Sequence, residues 1–433
     1  MRKKRDWIDL YFYKILRKEK LMNTSDRIER DKQVGLKILE PSQKDLDRGL
    51  ELHKESIVFD SYGFSPTSVP DSDVLAKATE AGAWPNELQD LTEEMSMTRH
   101  LTDPIGLKSY KEAWKASGVT CVFQNAGQEG NRMDRIIKRH ARFTHVTDKL
   151  GDFVFRAAFP KDIENAKQEG RHCLYFSANG VPVPQRWDTV AEELGFIRIF
   201  YQLGCRMMHL TYNRWNMLGV GCGEDSTGGL SDFGREVVRE MNRVGVIIDV
   251  AHSGLQTSMD AANTSEKPMV ASHSSCWSLK EHCRAKTDEV MRAIFQTGGY
   301  MGICCIPSFL GGTGDIIALL DHIDYIVKNF GADYAAIGTD VGYRIQTYDD
   351  QPKNVQSQKL RTAFRSLWPK NSFTPEYQQS WQIQSLAWTN WPLFTVGLVQ
   401  RGHSDDDIRK IIGGNIMRVA QAVLPDKPSF AFP

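Results

Sequence analysis

Three side chains close apolar runs where a strand would end. His252 ends GVIIDVAH (245–252), His273 lies near the end of PMVASHS (268–274), and Asp340 ends YAAIGTD (334–340). Two neutral imidazoles and a carboxylate form a ligand set for Zn2+ or a similar divalent ion. Such an ion lowers the pKa of a bound water until hydroxide forms near neutral pH. Asp340 could instead accept that water's proton, or be an ordinary helix N-cap. A lone histidine after an apolar strand is more often a hydrogen-bonded structural residue than a ligand. The recurrence of His252 and His273 one strand–helix unit apart is what points to a metal.

Ligands at strand ends require a sheet that gathers those ends. Apolar, β-rich runs occur at 56–62, 118–125, 172–179, 206–212, 245–252, 268–274, 300–307 and 334–340, with an accessory candidate at 153–159. Most are continuously hydrophobic, as in parallel strands covered on both faces. Amphipathic segments lie between them. LSDFGREVVREMNRVG (230–245) carries Ser231 as a cap and Phe233, Val237, Val238 and Met241 at helical spacing. LDHIDYIVKNFG (320–331) ends in a glycine, as helices often do. Eight strand–helix units predict an α/β (β/α)8 TIM barrel whose site forms at the C-terminal ends of the strands. The alternative is an open doubly wound sheet, but no glycine-rich phosphate loop follows a strand.

The predicted organisation is a charged, helical N-terminal extension (1–50), one barrel domain (51–424) and a short tail (425–433). Residues 64–110 and 341–395 read as long insertions over the catalytic face, and 403–424 as a helix pair broken at Gly413-Gly414. The Trp-rich stretch 380–394 fits a lid or a layer under the barrel.

Lys+Arg and Asp+Glu each total 54, and this balance argues against a nucleic-acid-binding surface. The eight cysteines are irregularly spaced without a C-x-x-C pair, which predicts reduced thiols in a cytoplasmic protein. No run is long enough to span a bilayer. The basic, aromatic start is interrupted by Asp6, Asp9 and Lys14, unlike a secretory signal, and reads as a peripheral extension.

The stretch GREVVREMNRVGVIIDVAHSGLQT, followed by PMVASHSSCWSLKEHCRAKTDE, resembles the renal or membrane dipeptidases, peptidase family M19 of the amidohydrolase superfamily. The resemblance covers about residues 50–424 and is densest over 198–345. It implies a (β/α)8 barrel, two zinc ions bridged by a Glu, hydrolysis of dipeptides and, often, a homodimer. By position, His252 and His273 match the two His ligands of the second metal. Asp340 matches the Asp that touches the first metal or the catalytic water. Arg284 in HCRAKTD matches the Arg that holds the substrate carboxylate, a role that suits its bidentate fork. Without the resemblance, a surface salt bridge would be the preferred reading of Arg284.

The departures fall on the first metal. IVFDSYGFSP (57–66) reads as a buried strand ending in a turn. Where the family has D-G-H-N-D, this chain has Asp60-Ser61-Tyr62-Gly63-Phe64, so aromatics replace both ligands. The bridging Glu of the third strand is matched by Ser177-Ala178-Asn179-Gly180. The fourth strand has Leu210-Thr211-Tyr212-Asn213, with Tyr212 in place of the His that helps polarise the scissile carbonyl. Tyr62, Phe64 and Tyr212 are therefore expected around the vacated site, and tyrosine can donate a hydrogen bond where histidine did. Asn179 and Gln124 are poor zinc ligands. Glu224, Cys222 and Cys276 are weaker candidates for a missing ligand.

The resulting expectation is a metal-dependent dipeptidase-like hydrolase reduced to one Zn2+. His252, His273 and Asp340 would hold the metal, with Asp340 and Tyr212 as catalytic groups. Arg284, Tyr62 and Tyr212 would contact a small substrate bearing a carboxylate. The alternatives are non-hydrolytic tailoring chemistry and a catalytically inactive binding barrel.

Overall fold

The computed structural model describes residues 24–127, 132–186, 188–345 and 366–424. Its strands are β1 (Phe59–Thr67), β2 (Cys121–Asn125), β3 (Val154–Arg156), β4 (His172–Ala178), β5 (Cys205–His209), β6 (Ile247–Asp249), β7 (Val270–Cys276), β8 (Ala285–Lys286), β9 (Tyr300–Ile303), β10 (Ala335–Ile337) and β11 (Gly342–Arg344). Each run expected from the sequence holds a strand. The sheet order is β10-β9-β7-β6-β5-β4-β2-β1-β11, all neighbours being parallel, with β3 on β4 and β8 on β7. Parallel neighbours need crossovers, and the helices between strands supply them.

The expected barrel is a curled parallel sheet whose last seam has no ladder. Between β10 and β1, Asp340 N–H donates to the Tyr62 carbonyl (2.9 Å). The buried Asp60 carboxylate accepts from Thr339 N (2.9 Å), Thr339 Oγ1 (2.6 Å) and Trp388 Nε1 (3.1 Å). A side-chain latch thus joins the first strand to the last. The turn expected after residue 62 is instead a register shift between Asp60 and Gly63, after which β1 continues to Thr67. Tyr62 and Phe64 therefore sit within a strand. Gly302 and Gly338 allow a close approach of neighbouring backbone, because a Cβ on either would fall about 2 Å from the Ser272 carbonyl oxygen.

The helix Asp232–Val244 forms as its pattern predicts. Ser231 Oγ accepts from Gly234 N (2.9 Å), Val237, Val238 and Met241 are buried, and Gly245 ends it with φ 87°. The helix expected over 320–331 begins earlier, at Ile316, capped by Asp315. The 64–110 insertion folds as the helices Ser72–Glu80 and Pro85–Thr98 and the start of Pro104–Ser117. Helices Thr24–Leu39 and Gln43–Glu55 lie against the helix Trp391–Gln400. His53 Nδ1 bonds Thr395 Oγ1 (2.8 Å), and Asn390 Nδ2 donates to the Asp31 carbonyl (2.8 Å). In the Trp-rich stretch Trp388 and Trp391 are buried, Trp388 on the Asp60 latch and edge-on to Trp114. The calls on residues 1–23, 346–365 and 425–433 lie outside the described residues.

Candidate metal centre

Parallel register places His209 of β5 beside Asp249 of β6. Both are fully buried, and His209 Nε2 lies 2.5 Å from Asp249 Oδ2, an ion-pair contact with neither ring nitrogen in an aligned hydrogen bond. Asp249 Oδ1 accepts from Ala251 N (2.9 Å) and Ser272 N (3.0 Å), and Oδ2 accepts from Ser272 Oγ. Burial alone would raise the pKa of this carboxyl. The His209 charge and the Ser272 bonds outweigh burial and hold it below the ordinary value.

Ser272 passes this orientation to the next residue. Its hydroxyl proton is committed to Asp249, so His273 Nδ1–H donates to Ser272 Oγ (2.7 Å). His273 Nε2 is then left with a lone pair. On the neighbouring strand end, His252 Nδ1–H donates to Asn213 Oδ1 (2.7 Å), and again Nε2 is left with a lone pair. The two Nε2 atoms face each other at 3.0 Å. Burial and the Arg284 charge push both imidazoles well below their ordinary pKa, so a shared proton is disfavoured. Two buried lone pairs at this separation call for a cation between them. A divalent metal ion meets that requirement with ligands of the right type.

Aromatic rings wall the pair. Tyr62 stacks on His273 with centroids 3.9 Å apart, and Tyr212 stacks on His252 at 4.2 Å. Tyr62 O–H donates to Asn179 Oδ1, which places the third-strand amide beside the vacated first site. Trp368 stands edge-on to both Tyr212 (6.2 Å) and His252 (6.1 Å). Tyr62, Phe64 and Asn179 offer no carboxylate or imidazole, so the residues present do not fit the family's first ion. His252 and His273 each offer an imidazole nitrogen of the type that ligates a divalent ion.

Among the described residues, the group of metal-ligating side chains whose atoms lie within 4.8 Å of one another is His209, Asp249 and His273. Asp340 and His252 are both outside that group. His209 and Asp249 are in direct contact, and Ser272 links Asp249 to His273. Sequence reasoning passed over His209 and Asp249. The signal was there: each precedes a site residue by three positions, His209 before Tyr212 and Asp249 before His252.

Arg284 is fully buried, not a surface residue. Its Nη2 donates to the His273 carbonyl (2.6 Å) and Nε to the Ala251 carbonyl (3.2 Å). Its Nη1 has no protein partner among the described residues, and the guanidinium lies 5.4 Å from the Phe309 ring and 5.9 Å from that of Trp368. A buried cation with an unused donor is a site for an anionic group. Asp340 follows β10 in a left-handed conformation (φ 54°), as does Asn213 (φ 39°). Such backbone is uncommon outside glycine and concentrates at functional sites. Burial raises the Asp340 carboxyl to about 6, against the lowering pull of Arg284 and His209.

The weaker candidates are engaged elsewhere. Gln124 Oε1 accepts from Ser65 N (2.6 Å), and Glu224 serves Trp215 N (3.2 Å) and Arg214 Nη1 (3.4 Å) in its own loop. Cys276 Sγ donates to the His322 carbonyl (3.7 Å). Cys222 Sγ reaches Asn213 Oδ1 (3.1 Å), one bond removed from His252.

A solved amidohydrolase from Pseudomonas aeruginosa superposes with a TM-score of 0.63 at 25% identity, over 87% of this chain and 99% of that one. The probable dipeptidase PvdM from Pseudomonas aeruginosa superposes at 0.59 with 19% identity, over 88% and 99%, and supports the fold alone. Dipeptidase tcpJ of Claviceps purpurea is 27% identical over 283 residues, 64% of this chain and 57% of the relative. Dipeptidase verJ of Clonostachys rogersoniana is 27% identical over 297 residues, 67% of this chain and 64% of the relative. The chain thus spans less than two thirds of either curated relative. The membrane dipeptidase model, peptidase family M19, matches residues 47–355, and the chain belongs to that family.

Proposed function

We propose that this protein hydrolyses dipeptides or related small amides bearing a free carboxylate, using one divalent ion, such as Zn2+, at His252 and His273. The observation that carries this reading is the pair of Nε2 lone pairs converging at 3.0 Å, each tautomer fixed by its Nδ1 partner. A bound ion supplies hydroxide near neutral pH and polarises a carbonyl. The remaining work falls to side chains. Arg284 Nη1 takes the substrate carboxylate and sets the distance to the reacting bond. Asp340, not a ligand in this reading, takes up a proton and releases it. Tyr212 occupies the place of the family's carbonyl-polarising histidine and presents its phenol beside His252.

The test is the metal content of the purified protein, with His252→Ala and His273→Ala beside it, followed by a screen of dipeptides and N-acyl amino acids. About one ion per chain, lost in both variants, is expected. Two ions would overturn the ligand assignment, and no ion after zinc or manganese is supplied would overturn the metal reading. One ion without turnover of any amide would favour non-hydrolytic chemistry at the same site.

A further inference from the structure

The proposed hydrolysis employs Arg284 and His252 but gives no task to the rings beside them. Phe309, Trp368 and Phe373 form one cluster, with Phe309 and Trp368 stacked at 5.7 Å and Phe373 5.5 Å and 5.0 Å from them. The Arg284 guanidinium stands 5.4 Å from the Phe309 ring and 5.9 Å from the Trp368 ring. The same Trp368 ring is edge-on to His252 at 6.1 Å. One indole thus reaches from the orphan donor to the proposed metal ligand. The segment that carries it is tied at both ends. Arg214 Nε donates to the Ser366 carbonyl (3.2 Å), and His282 Nε2 to the Ser372 carbonyl (3.1 Å). Such ties set the rings in place before a ligand arrives. Phe373 keeps part of its surface in solvent, which gives the cluster an open edge.

We propose that Phe309, Trp368 and Phe373 form a side-chain subsite that selects substrates whose carboxylate-bearing residue is aromatic. The proposal rests on Arg284 as the carboxylate donor and adds the class of side chain beside that carboxylate. In a dipeptide one Cα and the amide nitrogen separate the terminal carboxylate from the scissile carbonyl. With the carboxylate on Arg284 Nη1 and the carbonyl near His252, that Cα falls beside Trp368. A hydroxylated or acidic side chain there would lose water to rings that offer it no partner. A basic one would meet the buried Arg284 charge. An aromatic one gains offset or edge-on ring contacts.

The test uses 3-phenylpropanoate, which has the carboxylate and the ring but no amide to cleave. Calorimetric titration of the full chain is expected to show it binding roughly 10- to 100-fold more tightly than propanoate, the gain from burying one aromatic side chain. 3-Phenylpropanamide, without the charge, should bind more weakly than 3-phenylpropanoate. Trp368→Ala should bring the ratio of 3-phenylpropanoate to propanoate affinity toward one, and Trp368→Phe should keep most of it. Circular dichroism checks the fold, and Phe373→Ala reads the same cluster if Trp368→Ala does not fold. No advantage of 3-phenylpropanoate over propanoate or over the amide, or a preference unchanged in a folded Trp368→Ala or Phe373→Ala, would overturn the proposal. Turnover separates it from the hydrolase reading. Dipeptides ending in glycine cleaved as well as those ending in phenylalanine would sink the subsite and leave hydrolysis standing. A ring preference in binding without turnover of any amide would keep the subsite and sink hydrolysis.

Discussion

Tyr62 lies flat on His273, the rings 3.9 Å apart and inclined by 13°, while its hydroxyl bonds Asn179. A residue at a position that matches a first-metal ligand of the family thus buttresses His273, which we propose as a ligand. The buttress is the ring; the hydroxyl is secondary. Tyr62→Phe is expected to keep zinc affinity within a few-fold. Tyr62→Ala should weaken it about tenfold by freeing the His273 ring, as loss of an orienting contact does. Tyr62→Ala should also cost about 3–5 kcal/mol of stability, because it empties a buried site. Competition against a chelating dye and urea unfolding measure the two effects. Equal zinc affinity in Tyr62→Ala and the unaltered protein would remove Tyr62 from the site's support.

Among the described residues Arg284 has no acidic residue bonded to it; it uses two backbone carbonyls and leaves Nη1 without a protein partner. If that donor takes the substrate carboxylate, Arg284→Met should lower kcat/KM by about 30-fold to several thousand-fold, since breaking a buried, hydrogen-bonded charge pair costs about 2–5 kcal/mol. Arg284→Lys keeps the charge but loses the fork, and should fall between. The control is the same substrate with its carboxylate amidated. The unaltered enzyme and Arg284→Met should process it alike. A loss as large on the amidated substrate would assign Arg284 to structure.

Asp340 has its carboxyl raised to about 6 by burial, from an ordinary 3.8. As the proton acceptor it must be ionised, so kcat/KM should climb through pH 6 and fall about tenfold per unit below it. The stability effect has the opposite sign. The folded state holds this proton more tightly than the unfolded state, so the contribution is present below pH 3.8 and is lost as pH rises through about 6. Asp340→Asn should abolish the acidic limb, lower the rate about 10²–10⁴-fold, and leave neutral-pH stability no worse. An acidic limb that survives in Asp340→Asn would move the base elsewhere.

Much of this was legible in the sequence. Strands buried on both faces are written as unbroken apolar runs, and each such run became a strand, though its ends shifted by a few residues. Helix ends with a capping Ser231 or a terminal Gly331 were equally plain. His252, His273 and Arg284 were visible because their motifs are dense. Other features were not, because they depend on register between strands distant in sequence. The Asp60 latch to Thr339 and Trp388 spans most of the chain. The continuation of β1 past Tyr62 depends on a register shift against β2 that no local pattern encodes. His209 looked like one more polar residue in RMMHLTY until β6 set Asp249 beside it.

That pair offers the sharpest separation between a ligand and a support. His209 lies 2.5 Å from Asp249, both fully buried, and Asp249 reaches His273 only through Ser272. Removing one member leaves the other unpaired away from water, so His209→Leu and Asp249→Asn should each destabilise the fold by about 3–5 kcal/mol in urea unfolding. The double variant should cost less than the sum of the two by over about 1 kcal/mol, because the second change removes a charge already stranded by the first. Simple additivity would mean that the two do not pair. Metal content gives the independent reading. If His209 belongs to the ion pair and not to the metal, His209→Leu that remains folded should keep its ion, whereas His252→Ala and His273→Ala should not. An ion lost from folded His209→Leu would make His209 a ligand and move the metal toward Asp249.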